Sequence, residues 1–184
     1  MTDSTIPAPD VLATERLILR RARVSDAEAI FEEYAQDPEV SRHLVWKPHR
    51  SPRDTSEFLK ECEARWRAGE ELSWVIVARG GERPFGMIAC RLLGRAAEIG
   101  YVIGRRAWGR GYATEAARAV VDWVSGQAGI FRVGAFCDTG NPASARVLEK
   151  IGMIREGTLR RWVVHPNLSP EPRDCFVYSR VRGD

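Results

Sequence analysis

The chain has 184 residues, of which 44% are hydrophobic and 29% charged, a composition typical of one globular domain and unlike that of disordered or fibrous proteins. Its 28 basic and 25 acidic residues give a net charge of +3 and form no basic block, which argues against nucleic acid as a partner. No segment approaches the roughly 18 apolar residues of a membrane span or resembles a secretory leader, so we expect a cytoplasmic protein without a membrane partner.

The elements in chain order begin with an expected flexible lead over residues 1–10, followed by one domain over residues 11–184. Alternating apolar and charged residues predict a strand over 15–21. Ser25 with Glu28 predicts a capping box that opens a helix ending near residue 36. Ser51-Pro52 predicts the start of a second helix, which Gly69 ends.

The second half of the chain combines strands with two further helices. Strands are predicted over 72–78, 85–92 and 98–103 as an antiparallel meander, then over 131–137, 158–164 and 175–181. Apolar residues at helical spacing from Ala113 predict a helix closed by Gly126, and Asn141-Pro142 predicts the start of another. This order indicates an α/β protein with one mixed sheet and helices on its faces.

Cysteine and histidine spacing gives no sign of a metal centre. The cysteines are widely separated, with no Cys-x-x-Cys pair, and the three histidines have no ligand spacing. We therefore expect reduced thiols, no disulfide framework and no metal site.

The strongest chemical signal is a glycine-containing loop between a strand and a helix, over residues 101–114. Gly109 and Gly111 allow the backbone to approach a ligand closely, and the first N–H groups of the following helix have no partners inside it. These features predict an anion site suited to phosphate. The spacing disfavours a Walker loop, because Arg110-Gly111-Tyr112 lacks the required lysine and hydroxyl. It also disfavours a dinucleotide-binding fingerprint, because Thr114 stands where that motif has its third glycine.

The loop resembles the acetyl-CoA signature of the GNAT superfamily, Arg/Gln-x-x-Gly-x-Gly/Ala, filled here by Arg106, Gly109 and Gly111. Its flanks resemble the ribosomal-protein alanine N-acetyltransferase branch, and segments 12–17, 141–144, 149–153 and 174–178 resemble further motifs of that branch in the same order. The resemblance implies a single-domain GNAT fold, with a mixed, mostly antiparallel, splayed sheet and helices on both faces. It also implies an N-acetyltransferase that uses acetyl-CoA.

The resemblance also implies where the cofactor contacts lie. The acyl-pantetheine arm of such enzymes occupies a gap beside the strand that precedes the loop, and the loop holds the pyrophosphate. By position the implied contacts are Tyr101, Val102, Ile103, Arg106, Trp108, Gly109, Arg110, Gly111, Tyr112, Ala113, Thr114, Asn141 and Ser144. Trp108 and Tyr112 can also be interpreted as packing residues. Asn141 can be interpreted as a helix N-cap whose side chain accepts a hydrogen bond from the Ser144 N–H.

Acetyl transfer to an amine needs a neutral nucleophile, stabilisation of an oxyanion and a proton for the leaving thiolate. Many superfamily members carry a tyrosine seven residues after the motif asparagine, where this chain has Leu148. The resembled branch has a serine three residues after the asparagine, which makes Ser144 the expected acid.

Glu98 is the expected base, directly or through water, because it lies on the strand that leads into the acyl site; a solvated edge residue is the alternative. His43, His49 and His165 are alternative bases. His43 lies in a loop that borders the acceptor pocket of the resembled family, and Trp46 lines that pocket or belongs to the core.

We therefore expect direct transfer of an acetyl group from acetyl-CoA to a primary amine, either a small molecule or a protein N-terminus, by a monomer or homodimer. A competing interpretation is a non-catalytic acyl-CoA-binding sensor or scaffold, supported by Leu148. A nucleotide-binding enzyme of another kind is a third.

Overall fold

Eight strands form one sheet in the order β1-β2-β3-β4-β5-β6-β8-β7 in the computed structural model, which describes residues 6–183. The strands are β1 Val11–Ala13, β2 Leu17–Arg21, β3 Glu71–Ala78, β4 Gly86–Leu93, β5 Ala96–Ile103, β6 Arg132–Asp138, β7 Ile154–Val164 and β8 Pro172–Val181. The α-helices are α1 Ala27–Ile30, α2 Pro38–Ser41, α3 Pro52–Ala68, α4 Tyr112–Ser125 and α5 Pro142–Lys150. Short 3₁₀ turns lie at Val24–Asp26 and Arg105–Ala107, and a π-helical turn at Phe31–Ala35.

The sheet is antiparallel except between β5 and β6, which run parallel. These two strands pair only where Ala96, Ala97 and Glu98 face Arg132, Val133 and Gly134. Each strand then continues without the other as a partner, β5 pairing with β4 and β6 with β8. The mixed, splayed sheet is thus confirmed, and it opens a gap between the carboxyl-terminal halves of β5 and β6.

Helices cover both faces of the sheet, as predicted. Because side chains alternate along β3, Trp74 and Ile76 pack on the face covered by α4 and α5, whereas Val75 packs on the face covered by α1 and α3. The predicted stripe on α4 is buried, and Gly69 ends α3 in the left-handed conformation with φ 69°. All four cysteines, Cys62, Cys90, Cys137 and Cys175, are buried free thiols.

The predicted capping box at Ser25 and Glu28 is wrong. The helical segment begins one residue before Ser25, and the Asp26 carboxylate accepts the Arg23 N–H at 3.0 Å. Asp26 fills this role because the Arg20 guanidinium fixes its carboxylate, with contacts of 2.6 and 2.9 Å.

Residues 6–10, part of the expected flexible lead, have no regular secondary structure but contact the core. Ile6 and Ala8 pack against it, and the Pro9 carbonyl accepts the Trp74 indole N–H at 2.9 Å. The rest of the expected lead, residues 1–5, lies outside the described part of the chain. Within residues 6–183, no helix combines the length and apolar character that crossing a membrane requires.

Candidate functional site

The backbone of β5 presents polar groups to the gap. Where the two strands meet, the Phe131 N–H donates to the Arg95 carbonyl at 2.9 Å. Backbone groups alternate in direction along a strand, so Tyr101 and Ile103 direct their N–H and C=O groups away from β4, toward the gap. Val102 directs its groups toward β4, and its carbonyl lies 2.6 Å from where a Cβ on Gly86 would stand. Of the three predicted strand residues, Tyr101 and Ile103 therefore offer backbone donors to a ligand in the gap.

The glycine loop forms an anion site at the start of α4. Gly109 and Gly111 have φ values of 74° and 76°, a backbone conformation that favours glycine. Among the described residues, the backbone N–H groups from Gly109 to Thr114 have no acceptor, since the first helical bond runs from the Glu115 N–H to the Gly111 carbonyl at 3.0 Å. A row of free N–H groups at a helix N-terminus fits a diphosphate.

The aromatic residues of this loop have structural roles. The Trp108 indole N–H donates to the Ile103 carbonyl at 2.7 Å, although 49% of the residue stays exposed. The Tyr112 ring packs against Phe85, with ring centroids 5.1 Å apart, and under the Arg16 guanidinium at 4.9 Å. Both side chains fix the shape of the loop, so the backbone N–H groups remain its clearest ligand-binding feature.

An ion pair between Arg16, the residue before β2, and Glu115 on α4 holds the loop, and no local sequence pattern indicates it. Arg16 contacts Glu115 Oε2 through Nη2 at 2.6 Å and Nε at 2.7 Å, and its Nη1 donates to the Arg110 carbonyl at 3.0 Å. The Thr14 hydroxyl donates to the same carboxylate at 2.5 Å. Burial opposes ionisation of Glu115, but the bonds from Thr14 and Arg16 outweigh it and lower its pKa. Thr14 and Arg16 both belong to segment 12–17, which carried part of the family resemblance.

Two hydroxyl groups meet beside the gap. The Tyr101 hydroxyl lies 2.8 Å from the Ser144 hydroxyl and 3.2 Å from the Ser144 carbonyl. The Asn141 side-chain oxygen accepts the Ser144 N–H at 3.1 Å, so Asn141 caps α5 as predicted. Burial raises the pKa of Tyr101 far above its ordinary value despite the bond to Ser144, which keeps the phenol protonated. The sequence had pointed to the backbone of Tyr101 and had missed its side chain.

Cys137, the penultimate residue of β6, packs in the core cluster that includes residues of α5. Burial raises the pKa of the Cys137 thiol to about 11, and the Ser144 side chain partly opposes that rise. The thiol is therefore protonated at neutral pH. Leu148, one turn further along α5, is 1% exposed and belongs to the core. The hydroxyl groups at this end of the gap thus come from Tyr101 and Ser144.

The predicted base, Glu98, lies at the last position where β5 and β6 still pair, opposite Gly134. Its carboxylate is 3.5 Å from Arg91 Nη1, and Arg91 also contacts Glu71 at 3.2 Å. Since successive side chains along a strand alternate, Glu98 and Tyr101 lie on opposite faces of β5. The structure therefore brings Tyr101 and Ser144 together but places Glu98 on the other face, beside an arginine.

A buried carboxylate marks the end of β6. The Asp138 side chain is fully buried and accepts bonds from Arg173 Nε at 2.6 Å, Arg173 Nη2 at 3.1 Å and the Gly140 N–H at 2.8 Å. His43 Nδ1 lies 3.7 Å from one carboxylate oxygen, and His165 Nε2 lies 3.8 Å from the other. Burial opposes ionisation of Asp138, but the bonds from Arg173 and Gly140 outweigh it and lower its pKa.

The three histidines proposed as alternative bases have different surroundings. His165 is 2% exposed, and its Nε2 also contacts the Cys175 thiol at 3.7 Å. His49 Nδ1 lies 2.8 Å from the Thr55 hydroxyl, on the side of α3, and its ring packs against Trp46. His43 is the partly exposed histidine beside Asp138.

Comparisons with known proteins bear on the family and fold of the chain. Residues 16–154 match the family described as acetyltransferase (GNAT) domain. The chain is 34% identical over 175 residues to the uncharacterized N-acetyltransferase YoaA of Bacillus subtilis, a match that covers 94% of this chain and 97% of that protein.

Solved structures are similar over nearly the whole chain. A GNAT-family acetyltransferase from Bacillus anthracis superposes with a TM-score of 0.82 and 27% identity, covering 95% of this chain and 99% of that one. RimL, a ribosomal L7/L12 alpha-N-protein acetyltransferase in complex with coenzyme A, superposes with a TM-score of 0.83 and 20% identity, covering 93% and 97% of the two chains. At 20% identity, the similarity to RimL shows a shared fold.

Proposed function

Because the chain belongs to the GNAT acetyltransferase family and is an acetyltransferase, we propose that it transfers the acetyl group of acetyl-CoA directly to a primary amine, within a ternary complex. The observation that carries this proposal is the juxtaposition of an anion-binding loop, an open strand gap and a pair of hydroxyl groups. A protein N-terminus and a small-molecule amine are both consistent with it.

The residues of the loop and the gap fit the two ends of acetyl-CoA. The free N–H groups from Gly109 to Thr114 would hold the pyrophosphate, and the exposed side chains of Arg106 and Arg110 add positive charge nearby. The backbone donors of Tyr101 and Ile103 would hold the pantetheine arm and the thioester oxygen. The bound molecule supplies an activated acetyl group. RimL, whose fold this chain shares, was crystallised with coenzyme A, which supports the same ligand here.

Ser144 would deliver the proton that the sulfur needs when the carbon–sulfur bond breaks. A neutral hydroxyl is a weak acid, so its placement and its hydrogen-bond partners determine whether it can act. The Tyr101 hydroxyl at 2.8 Å remains protonated, so it can donate to Ser144 as that oxygen loses its proton. Tyr101 and Ser144 thus form a proposed proton relay, and the absence of a hydroxyl at Leu148 does not argue against catalysis.

A base must accept the proton that the amine loses when it attacks the acetyl carbon. Glu98, acting through water, is the base that the sequence predicted, and its carboxylate lies 3.5 Å from Arg91 Nη1. Glu98→Gln tests it: a proton-accepting role predicts a large fall in kcat, whereas a surface ion pair predicts little change.

The free, buried cysteines support a reducing compartment such as the cytoplasm. The sequence has no basic block, which supports an amine acceptor as the partner and argues against nucleic acid. We propose that the protein is a monomer or a homodimer.

Initial-rate kinetics test direct transfer. With both substrates varied, a ternary complex gives intersecting double-reciprocal lines, and a covalent acetyl-enzyme gives parallel lines. Parallel lines together with an acetylated Cys137 would contradict the proposal. Tight acetyl-CoA binding without transfer to any amine would favour the sensor or scaffold interpretation.

A further inference from the structure

His43 lies on the loop between α2 and α3, beside a carboxylate that the proton relay does not use. Its Nδ1 atom is buried, has no hydrogen-bond partner within residues 6–183, and lies 3.7 Å from Asp138 Oδ1. That separation is longer than a hydrogen bond, but catalytic hydrogen bonds are often long before substrate binds. The pairing places a histidine nitrogen opposite a fixed negative charge.

Asp138 is held in position from two sides. Arg173 donates hydrogen bonds to both carboxylate oxygens of Asp138, and the Gly140 N–H donates to one of them. A carboxylate fixed in this way can accept the Nδ1–H of a histidine, which selects the tautomer whose Nε2 is basic. The surroundings of Asp138 therefore prepare His43 to take up a proton at Nε2.

His43 lies on the face of β6 opposite the proposed acid, Ser144. Asp138 follows Cys137 directly, and their side chains lie on opposite faces of β6. Cys137 packs in the core cluster that includes residues of α5 on one face, and Asp138 lies 3.7 Å from His43 on the other. The His43 side chain is 23% exposed although Nδ1 is buried, so the exposed part of the ring lies away from Asp138.

The loop that carries His43 is anchored to the β7–β8 connection. The Asn167 side-chain amide donates to the Ser41 carbonyl at 2.7 Å and to the Trp46 carbonyl at 2.8 Å. These bonds flank His43 on both sides in sequence. The anchored loop keeps the ring at the end of β6.

Resting on the proposed function, we propose that His43 Nε2, in place of Glu98, accepts the proton of the acceptor amine, with Asp138 as the positioning residue. The amine nitrogen forms a bond to the acetyl carbon, the carbon–sulfur bond breaks, and the sulfur takes the Ser144 proton. Ser144 regains a proton through Tyr101 from solvent. The His43 imidazolium returns the amine's proton to solvent, so the amide and the CoA thiol are the products.

The charged and titratable groups that face His43 come from three other parts of the chain besides its own loop. They are Asp138 on β6, Arg173 on β8, His165 after β7, and Arg42 on the loop itself. Burial lowers the pKa of His43 most; Asp138 raises it, while Arg42, His165 and Arg173 lower it further. The pKa therefore lies below the ordinary histidine value, and the ring is a neutral proton acceptor near neutral pH.

The pH dependence of kcat/KM tests the inference, measured with two accepted amines of different basicity. If His43 must be deprotonated, the rising limb of the pH profile has its midpoint at the same pH for both amines. If the amine itself must be deprotonated, that midpoint shifts with the pKa of the amine. His43→Gln is expected to abolish this limb and to lower kcat by roughly 10²-fold or more. His49→Gln, a matched substitution on the same loop, is expected to keep the limb, because His49 contacts Thr55 instead of Asp138.

Charge substitutions around His43 are expected to move the limb in opposite directions. Asp138→Asn removes the charge that raises the pKa of His43, so the limb moves to lower pH; Arg173→Gln removes a charge that lowers it, so the limb moves to higher pH. NMR titration of the His43 ring gives the same shifts without turnover, and it replaces the kinetics if Asp138→Asn is poorly active.

Three results would overturn the inference. The first is a limb that survives in His43→Gln with kcat near the wild-type value while Ser144→Ala is impaired, which refutes the base and leaves the proposed function standing. The second is a His43 titration that is insensitive to both charge substitutions. The third is failure of the wild type to acetylate any amine, which refutes the proposed function and this inference with it.

Discussion

The Tyr101 hydroxyl lies 2.8 Å from the Ser144 hydroxyl, which joins the strand before the glycine loop to the helix after β6. Tyr101 also directs its backbone groups into the gap between β5 and β6. One residue therefore contributes both to the ligand-binding gap and to the hydroxyl pair beside it.

Removal of either hydroxyl should slow transfer without loss of acetyl-CoA binding. Ser144→Ala removes the proposed acid, and we expect kcat to fall by roughly 10²-fold. Tyr101→Phe should cost less, because Ser144 would remain. Since the two groups act together, the double variant should be little slower than Ser144→Ala alone. Thiol release under saturating substrates measures kcat, and strictly additive effects would argue against a relay.

Gly111→Trp should weaken acetyl-CoA binding by blocking the row of free N–H groups. We expect the KM for acetyl-CoA to rise at least about tenfold, which corresponds to about 1.4 kcal/mol. Gly94→Trp is the matched control, because Gly94 has a similar φ of 66° but lies in the β4–β5 turn. Both variants should lose about 1 kcal/mol of stability from the left-handed backbone. An equal rise of KM in both would contradict a specific role for the loop.

The ion pair between Arg16 and Glu115 should stabilise the fold in a pH-dependent way. The pKa of Glu115 is lowered in the folded protein, so its contribution is present above the ordinary glutamate pKa and is lost as pH falls through the folded value. Glu115→Gln should cost about 1 kcal/mol near neutral pH, a modest value because the Arg16 side chain is 47% exposed. Urea unfolding should show this difference shrinking in acid. A pH-independent difference would assign the effect to packing.

A tyrosine at position 148 should not act as a proton donor. Leu148 is 1% exposed in a packed core, so Leu148→Tyr should lose about 1–3 kcal/mol through overpacking. Leu148→Met, which nearly conserves volume, should cost less than about 1.5 kcal/mol. In a Ser144→Ala background, Leu148→Tyr should restore no turnover. Recovery of activity there would mean that residue 148 can reach the leaving sulfur.

Local determinants explain what the sequence predicted well. Ser51-Pro52 and Gly69 bound α3 through caps formed by adjacent residues, and the stripe on α4 follows helical spacing alone. The box at Ser25 failed because a contact with Arg20, a residue of β2, positions Asp26 instead. Even this local motif depended on a side chain outside the helix.

The site needed tertiary information. Residue spacing predicts strands β5 and β6 but not the point where they separate; that expectation came from the family resemblance. The Tyr101 side chain was missed because the face of β5 that meets α5 depends on how the helix packs. The group around Asp138 combines residues from the α2–α3 loop, β6, the β7–β8 connection and β8, so no local pattern indicates it.

The most direct measurement is acetyl-CoA consumption, read as free thiol, against a panel of amines that includes peptides with free N-termini. Wild-type protein should turn over at least one amine, Ser144→Ala should be slowed at unchanged acetyl-CoA affinity, and Gly111→Trp should need far more acetyl-CoA than Gly94→Trp. Tight binding of acetyl-CoA with no thiol release for any amine would contradict the proposed N-acetyltransferase function.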